Sequence, residues 1–346
     1  MRKTLELLTC TFGLLLLPFN FASAHEVYVL SPDEIATGVN TPPFDMLATL
    51  YANLGSFVFW GFIVFVVVST IFFMSIFRVL ERLFNPFFER MKPYASTVAR
   101  VTIGLGLVAG AYYGANYGPE LPLAAIFGEQ APLIALLAGL VGLMLIANVW
   151  SRLAATVATI LFLINAIWHG IYMLTYVNYL GEFIVLLTPA SLKLRRASAQ
   201  GWHNIASLLA PYSWVILRIT FGISLIYSSI YAKILHNNLA LQVASLTFPG
   251  HAHPLAYYFG FEPHFLVLGA ALIEILIGLF YIFGVEIRWT SIFLLFWLSL
   301  SLWFFGESVW PHIVLIGIPL AFIMHGYDKY SIEGYFFKRG GREPVL

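Results

Sequence analysis

The residue best suited to chemistry is a glutamate inside an otherwise apolar segment. Glu274 lies ten residues into the segment 264–285, with apolar neighbours on both sides. An ionisable group at membrane depth is costly and is by default a candidate functional residue. Alone at that depth its carboxyl should be neutral, because burial disfavours the charged form. It could accept a proton or bond a quinone carbonyl. The alternative is a neutral carboxyl that hydrogen-bonds a neighbouring helix.

A second set of candidates combines histidine with glutamate near the ends of late apolar segments. His169 is followed by Glu182, and Glu307 by His312. An imidazole beside a carboxylate exchanges protons near neutral pH, so each pair could accept protons released by a quinol. The alternative is that these residues lie at the headgroup level, where nearby tryptophans indicate an aromatic belt.

Histidines also raise the questions of a metal and of haem. His25, His251 and His253 form a nitrogen-rich set of a kind that suits copper or zinc, although histidine in a Pro/Gly-rich loop is often simply solvated. Axial haem ligation would require histidines that face each other from different helices. His169 and His312 are the pair that could do so, which leaves a haem open.

Several reaction classes are excluded by what the sequence lacks. The single cysteine, Cys10, lies in a segment expected to be removed, so the mature chain has no CxxC centre, cysteine nucleophile or iron–sulfur cluster. Gly-rich nucleotide loops, HExxH and GxSxG are missing. A net charge of +1 gives no basis for nucleic-acid binding. Redox chemistry would therefore need a quinone or other bound cofactor, and a partner redox protein or membrane subunit.

The composition places these candidates in a membrane. Hydrophobic residues make up 60% of the 346 and charged residues 10%, and a soluble fold could not hide so much apolar surface. The main solvent of the protein is therefore the lipid bilayer. A charged start, a short apolar core and an Ala-Ser-Ala site predict a signal peptide over 1–24.

Uncharged runs of about 20 residues predict an all-α, polytopic fold with nine transmembrane helices after signal cleavage. Lysines and arginines concentrate at one set of helix ends, which predicts an extracytoplasmic N-terminus and a cytoplasmic C-terminus in a bacterial-type inner membrane. An interfacial helix broken at Pro86 is expected to follow the first span. The predicted spans are 51–77, 101–118, 131–150, 153–174, 180–192, 212–235, 264–285, 289–305 and 309–325.

A short motif occurs twice. Arg100-Val-Thr-Ile-Gly104 recurs as Arg218-Ile-Thr-Phe-Gly222, each followed by four predicted spans. Late in each unit, residues 179–186 align with 309–316, which sets Glu182 opposite His312. This pattern predicts two tandem four-helix units after one N-terminal helix. The full division is 1–24 signal peptide, 25–50 extracytoplasmic segment, 51–94 first transmembrane helix and interfacial helix, 95–192 first unit, 193–211 cytoplasmic linker, 212–326 second unit and 327–346 cytoplasmic tail.

The repeated motif, the four-helix unit and the segment Leu272-Ile-Glu-Ile-Leu-Ile-Gly278 resemble the DoxX/DoxD family of membrane proteins. The second unit resembles it better than the first. The resemblance implies a four-helix membrane subunit linked to quinone-coupled oxidation, to terminal quinol oxidases or to redox-defence complexes.

Together these features predict a membrane redox subunit that binds quinone or quinol near the outer leaflet and works with a partner electron donor or acceptor. Glu274 and the two His/Glu sets would bind the ring and move protons. The alternative is a non-catalytic transporter or scaffold, since tandem repeats around a polar residue at the bilayer midplane also describe alternating access.

Overall fold

The computed structural model describes residues 30, 32–188, 208–246, 253–254, 257–258, 260, 262–305, 310–328, 330–332 and 334. Within them every regular element is helical, which confirms the all-α fold. The predicted signal peptide and most of the predicted linker and tail lie outside the described residues. The α-helices are α1 Pro32–Asn40, α2 Met46–Asn53, α3 Phe57–Met91, α4 Ala95–Tyr113, α5 Leu123–Phe127, α6 Ala131–Ala147, α7 Ser151–His169, α8 Val177–Leu187, α9 Ser213–Ile230, α10 Asn237–Ser245, α11 Pro263–Phe283, α12 Ile287–Phe305 and α13 His312–His325.

In the described part of the chain, six helical stretches are long and apolar enough to cross a membrane, or seven if the bent pair α2 and Phe57–Phe72 counts as one span. One stretch, Ser151–Leu187, contains both α7 and α8 and doubles back on itself. The ring of Tyr117 lies 5.5 Å from that of Phe162 and 4.7 Å from that of Tyr179. Seventeen residues of straight helix would separate Phe162 from Tyr179 by about 25 Å. A multi-pass helical protein is therefore shown, and the count of nine crossings stays a prediction.

The repeated motif makes the same helix contact twice. A Cβ on Gly104 of α4 would lie 2.8 Å from the Gly142 carbonyl oxygen of α6, and one on Gly222 of α9 would lie 2.5 Å from that of Gly278 in α11. Only glycine allows backbones to approach this closely. The first two helices of each unit are therefore packed through the same pair of glycines.

Each motif arginine lies on the first helix of its unit and caps the C-terminal end of the second helix of the same unit. Arg100 Nη1 donates to the carbonyl oxygens of Leu145 and Ile146, the latter at 2.8 Å. Arg218 Nη1 donates to those of Tyr281 and, at 2.7 Å, Ile282. A helix leaves its last carbonyls unsatisfied, so a guanidinium can satisfy two of them at once.

The last helix of each unit packs against the first helix of the other unit. α8 packs against α9, with Gly181 beside Thr220, and α13 packs against α4, with Gly317 beside Thr102. Gly181 therefore corresponds to Gly317, a spacing of 136 residues. The alignment of 179–186 with 309–316 is wrong by six residues, and Glu182 corresponds to Ile318 rather than to His312. Close packing at glycine fixes this register, whereas the sequence alignment compared only apolar runs.

α3 differs from its prediction. An interfacial helix broken at Pro86 was expected, but one helix runs from Phe57 to Met91. Pro86 removes one backbone hydrogen bond, and a buried arginine holds the helix on both sides of that position. Arg288 pairs with Glu81 and lies 4.5 Å over the ring of Phe88. The helix is held together by Arg288, which lies about 200 residues further along the chain, and local sequence patterns do not reveal such a contact.

A small cap covers the end of the second unit opposite its arginines. α10 packs against α11 and against α1. The buried Asn237 side chain bonds both the backbone N–H and the C=O of Phe44, at 3.0 and 2.8 Å. The N-terminal segment is thereby fixed over the second unit.

Candidate functional site

Glu274 lies close to the middle of α11, eleven residues from Pro263 and nine from Phe283. Its Oε2 is 3.0 Å from the Nζ of Lys233, and the two side chains retain 19% and 7% of their exposure. The expectation that Glu274 stands alone is therefore wrong: it belongs to a largely buried ion pair. Such a pair is stable only where the attraction offsets the loss of hydration, and losing either partner strands the other charge.

Local backbone geometry brings Lys233 to this position. α9 continues into a π-helical turn, Tyr231–Leu235, that contains Lys233. Helical side chains tilt toward the N-terminus, so a lysine near the end of this helix extends back toward the bilayer centre. Ser229, one turn earlier, donates to the Ala271 carbonyl at 3.3 Å and fixes the two helices at this level. The pair is thus held by backbone packing as well as by charge.

Glu182 occupies a different environment in the first unit. It is completely buried in α8, and neither carboxyl oxygen has a hydrogen-bond partner among the described residues. Tyr179, one turn earlier, is also buried, and its hydroxyl has no described partner. Polar atoms in this situation are rare in proteins and call for a functional explanation.

A cluster of tyrosines surrounds a third acid at the end of the first unit. Glu120 Oε1 accepts hydrogen bonds from Tyr176 and, at 3.2 Å, from Tyr172. Tyr172 in turn lies 4.9 Å from the ring of Tyr231 in the second unit. We term Glu120, Tyr172, Tyr176 and Tyr231 the tyrosine cluster. It lies at the boundary of the two units, at the bundle end opposite the motif arginines.

The predicted pair of His169 and Glu182 is not joined by a hydrogen bond. His169 ends α7 with its Nε2 buried, and neither carboxyl oxygen of Glu182 has a hydrogen-bond partner among the described residues. The pair of Glu307 and His312 stays a prediction. His312 begins α13 and is buried. Glu307 lies outside the described residues, as do His25 and His251 of the predicted metal set. The copper, zinc and haem hypotheses stay predictions.

The remaining member of the metal set, His253, is exposed and lies 3.9 Å from the ring of Tyr257. Groups of three or more potential metal ligands do not occur in the described part of the chain. Two further ion pairs lie at the arginine end of the second unit, where Arg218 binds Asp328 at 3.0 Å and Arg288 binds Glu81. These pairs join α9 and α12 to neighbouring segments and serve the fold.

The sequence analysis did not pair Lys233 with Glu274. A lysine at the end of one apolar segment and a glutamate inside the next is a signal for such a pair, since membrane-embedded charges rarely occur alone. Glu120 and its tyrosines were also missed. No spacing in the sequence relates Glu120 to residues 172–176, because the loop that carries it is placed by tertiary contacts.

Comparison with known families agrees with this architecture. Residues 213–307 match the model of the DoxX family, described as DoxX. The match covers α9 to α12 and therefore includes both members of the Lys233–Glu274 pair. No match was found among curated proteins, and none among solved structures. The first unit lies outside the family match, so its identity as a second DoxX-like unit stays a prediction.

Proposed function

We propose that this multi-pass protein with a DoxX domain is a membrane redox subunit that binds quinone or quinol at the Lys233–Glu274 pair. The observation that supports the proposal is the ion pair itself, placed near the middle of a membrane helix within the domain that matches DoxX. One cation that donates hydrogen bonds and one carboxylate that accepts a proton are the two groups that a quinone/quinol ring requires.

The residues of the chain divide the work as follows. Lys233 Nζ would donate a hydrogen bond to a ring oxygen, and Glu274 would accept a proton from a ring hydroxyl. Oxidation of one quinol releases two protons, which Glu274 would accept in turn, and two electrons, which a partner redox protein would take. Apolar neighbours on α11 exclude water, which strengthens both interactions. The residual exposure of Glu274 leaves access for a ligand that diffuses in the bilayer.

The π-helical turn supports this assignment. Such turns are uncommon and often occur at functional sites, because the extra residue redirects a side chain at the cost of regular packing. Here the turn contains the lysine of the pair. By the same spacing from the repeated motif, the first unit has Ala115 in place of Lys233. By the same spacing from the paired glycines Gly142 and Gly278, it has Ala138 in place of Glu274.

The test compares quinol oxidation in membranes that contain the wild-type chain or Glu274→Gln. We expect Glu274→Gln to insert normally but to lose quinol oxidation. Glu262→Gln makes the same chemical change at an exposed carboxylate and should leave oxidation unchanged. Full activity of Glu274→Gln would refute the role of this residue.

A reduced-minus-oxidised difference spectrum of the purified protein provides the second test. A quinone band that is present in the wild type and weakened in Lys233→Met and Glu274→Gln is expected. Haem bands would instead indicate His169 and His312 as candidate axial ligands. A featureless spectrum, together with unchanged quinol oxidation in both variants, would refute the proposal.

The reciprocal packing of the two units favours transport as the second candidate function. Duplicated bundles with a polar site near the midplane support alternating access in many transporters. A transporter would move a solute into liposomes with no change in the redox state of added quinone. Measuring solute uptake and the redox state of quinone in the same liposomes distinguishes a transporter from a redox subunit.

A further inference from the structure

A row of buried polar groups runs along one side of α8 and the turn before it. Tyr179 and Glu182 are three residues apart on α8, which places them on one helical face, and Thr175 lies in the 3₁₀ turn that leads into this helix. The Thr175 Oγ1, the Tyr179 hydroxyl and both Glu182 oxygens are buried without hydrogen-bond partners among the described residues. The row leads from the tyrosine-cluster end of the bundle to the membrane interior.

The scaffold does not require this row. At the spacing of 136 residues fixed by Gly181 and Gly317, the second unit places Pro311, Leu315 and Ile318 at the corresponding positions. Ile318 is completely buried, as Glu182 is. Because α13 packs with apolar residues where α8 has polar ones, the polar row serves something other than packing.

Glu182 has no cation to balance it among the described residues. Tyr179 is the titratable group on its own helix with which it interacts. α9, which packs against α8, contributes Arg218, and the π-helical turn after α9 contributes Lys233; these bind Asp328 and Glu274. An ionised carboxylate buried in this way would be costly, so the site accommodates the neutral acid.

The other elements against α8 have their charged groups engaged or distant. α4 contributes Arg100, which is bonded to the carbonyls of α6. α7 contributes Arg152, exposed at its first turn, and His169 at its last residue. None of them is in position to neutralise Glu182.

Tyr179 lies one turn before the buried acid on α8 and beside the tyrosine cluster. It interacts electrostatically with both Glu182 and Glu120, and its ring lies 4.7 Å from that of Tyr117 and 6.3 Å from that of Tyr176. Tyr176 donates to Glu120, which is partly exposed. Hydroxyl and carboxyl groups in sequence are the usual means of moving a proton through an apolar region.

We propose that Glu182 is a reversible proton-binding site that exchanges with the extracytoplasmic side through Tyr179 and Glu120. Because neither the Tyr179 hydroxyl nor the Glu182 carboxyl has a hydrogen-bond partner among the described residues, each transfer needs a bridging water. On release, the O–H bond of the Glu182 acid breaks and its proton passes through one water to Tyr179. Tyr179 gives its own proton through a second water to the Glu120 carboxylate, which delivers it to bulk water. Uptake follows the reverse order. The site is separate from the Lys233–Glu274 pair and does not depend on the proposed function.

Infrared spectroscopy of the full chain in liposomes tests this proposal. The wild type should show the carbonyl stretch of a protonated carboxylic acid, and the band should shift when D₂O replaces H₂O. Glu182→Gln should remove the band, whereas Glu274→Gln, the matched change at the other membrane glutamate, should retain it. Absence of a band that depends on Glu182, or a band that D₂O never shifts, would overturn the proposal.

The relay is tested through the rate of that shift. Tyr179→Phe and Glu120→Gln each remove one proton-carrying group and should slow the exchange by about tenfold or more. Tyr281→Phe, which removes a buried tyrosine hydroxyl from the second unit, is the control and should leave the rate unchanged. Unchanged exchange in both relay variants would overturn the route, even if Glu182→Gln fails to fold.

Discussion

The two four-helix units share a scaffold but carry different charges. Both use a glycine pair between their first two helices and an arginine over the carbonyls at the end of the second helix. The turn after that second helix also repeats, with positive φ at Asn148 and Trp150 in the first unit, and at Gly284 and Glu286 in the second. Backbone geometry therefore repeats most closely between the units.

The charged side chains differ between the two units, although the helix packing is the same. The second unit has the Lys233–Glu274 pair, where the first has alanines, and a buried Arg288 where the first has the exposed Arg152. The first unit has the buried Glu182, which has no hydrogen-bond partner among the described residues. The comparison teaches that glycine and arginine positions build the fold, and that the two membrane glutamates lie in different surroundings on it.

The largest expected difference between the units concerns Arg288 and Arg152, which follow the turn after the second helix of each unit. Arg288→Met would leave Glu81 and the Ile323 carbonyl without their buried partner and should lower the free energy of unfolding by about 3–5 kcal/mol. Arg152→Met should change it by about 0.5 kcal/mol or less, because that side chain is exposed. Unfolding in a denaturing detergent measures both, and equal effects would contradict the comparison.

Replacing the shared glycines should affect both units alike. Gly104→Ala and Gly222→Ala each force a Cβ against a backbone carbonyl and should each cost about 1–3 kcal/mol. The midpoint of thermal unfolding in one detergent provides the measurement. Gly61→Ala, where a Cβ would contact nothing within 4 Å, is the control. A cost in one unit alone would show that the scaffold is not shared.

The Lys233–Glu274 pair should behave as a coupled unit. Lys233→Met and Glu274→Leu should each destabilise the protein, whereas the double variant should recover part of the loss because no stranded charge remains. The coupling free energy should be about 0.5–3 kcal/mol. Additive losses in unfolding experiments would show that the two side chains do not interact.

The smallest effect is expected at Asn148, in the turn after the second helix of the first unit, and it is compared with Gly284 in the second. Gly284→Asn should cost about 1–3 kcal/mol, since a Cβ would lie 2.5 Å from Ser331 and 2.8 Å from the Arg218 guanidinium. Asn148→Gly relieves a left-handed residue but loses the hydrogen bond from Ser151, so a change within about 1 kcal/mol is expected. The midpoint of thermal unfolding measures both variants. Equal shifts for Gly284→Asn and Asn148→Gly would contradict the expectation that the turn is more tightly packed at Gly284.

Much of the fold could be predicted from the sequence. The helices lie near the predicted segments: 131–150 became Ala131–Ala147, and 264–285 became Pro263–Phe283. Apolar runs of this length have no other stable form in lipid, because every backbone polar group must bond within its own helix. The repeated motif was also visible, since arginine and glycine recur at identical spacing.

The sites were predicted only in part. Glu274 could be singled out because one carboxyl in a membrane helix is conspicuous, and Glu182 was selected for a different reason, as the partner of His169. Its partner Lys233, and the contact of Glu120 with Tyr172 and Tyr176, depend on how helices lie beside one another. Pairing of this kind joins residues 41 to 56 positions apart, which local spacing does not encode.

The sequence by itself determined that lipid is the solvent, that the chain is helical and that two arginine–glycine motifs begin similar units, because composition and periodicity act locally. Tertiary structure alone decided that Glu274 has a cation beside it and that Glu182 has none among the described residues. It also decided that α3 continues through Pro86, because Arg288 contacts the helix on both sides of that residue. Whether a buried charge is paired depends on distances of a few ångströms between helices, and only packing sets those distances.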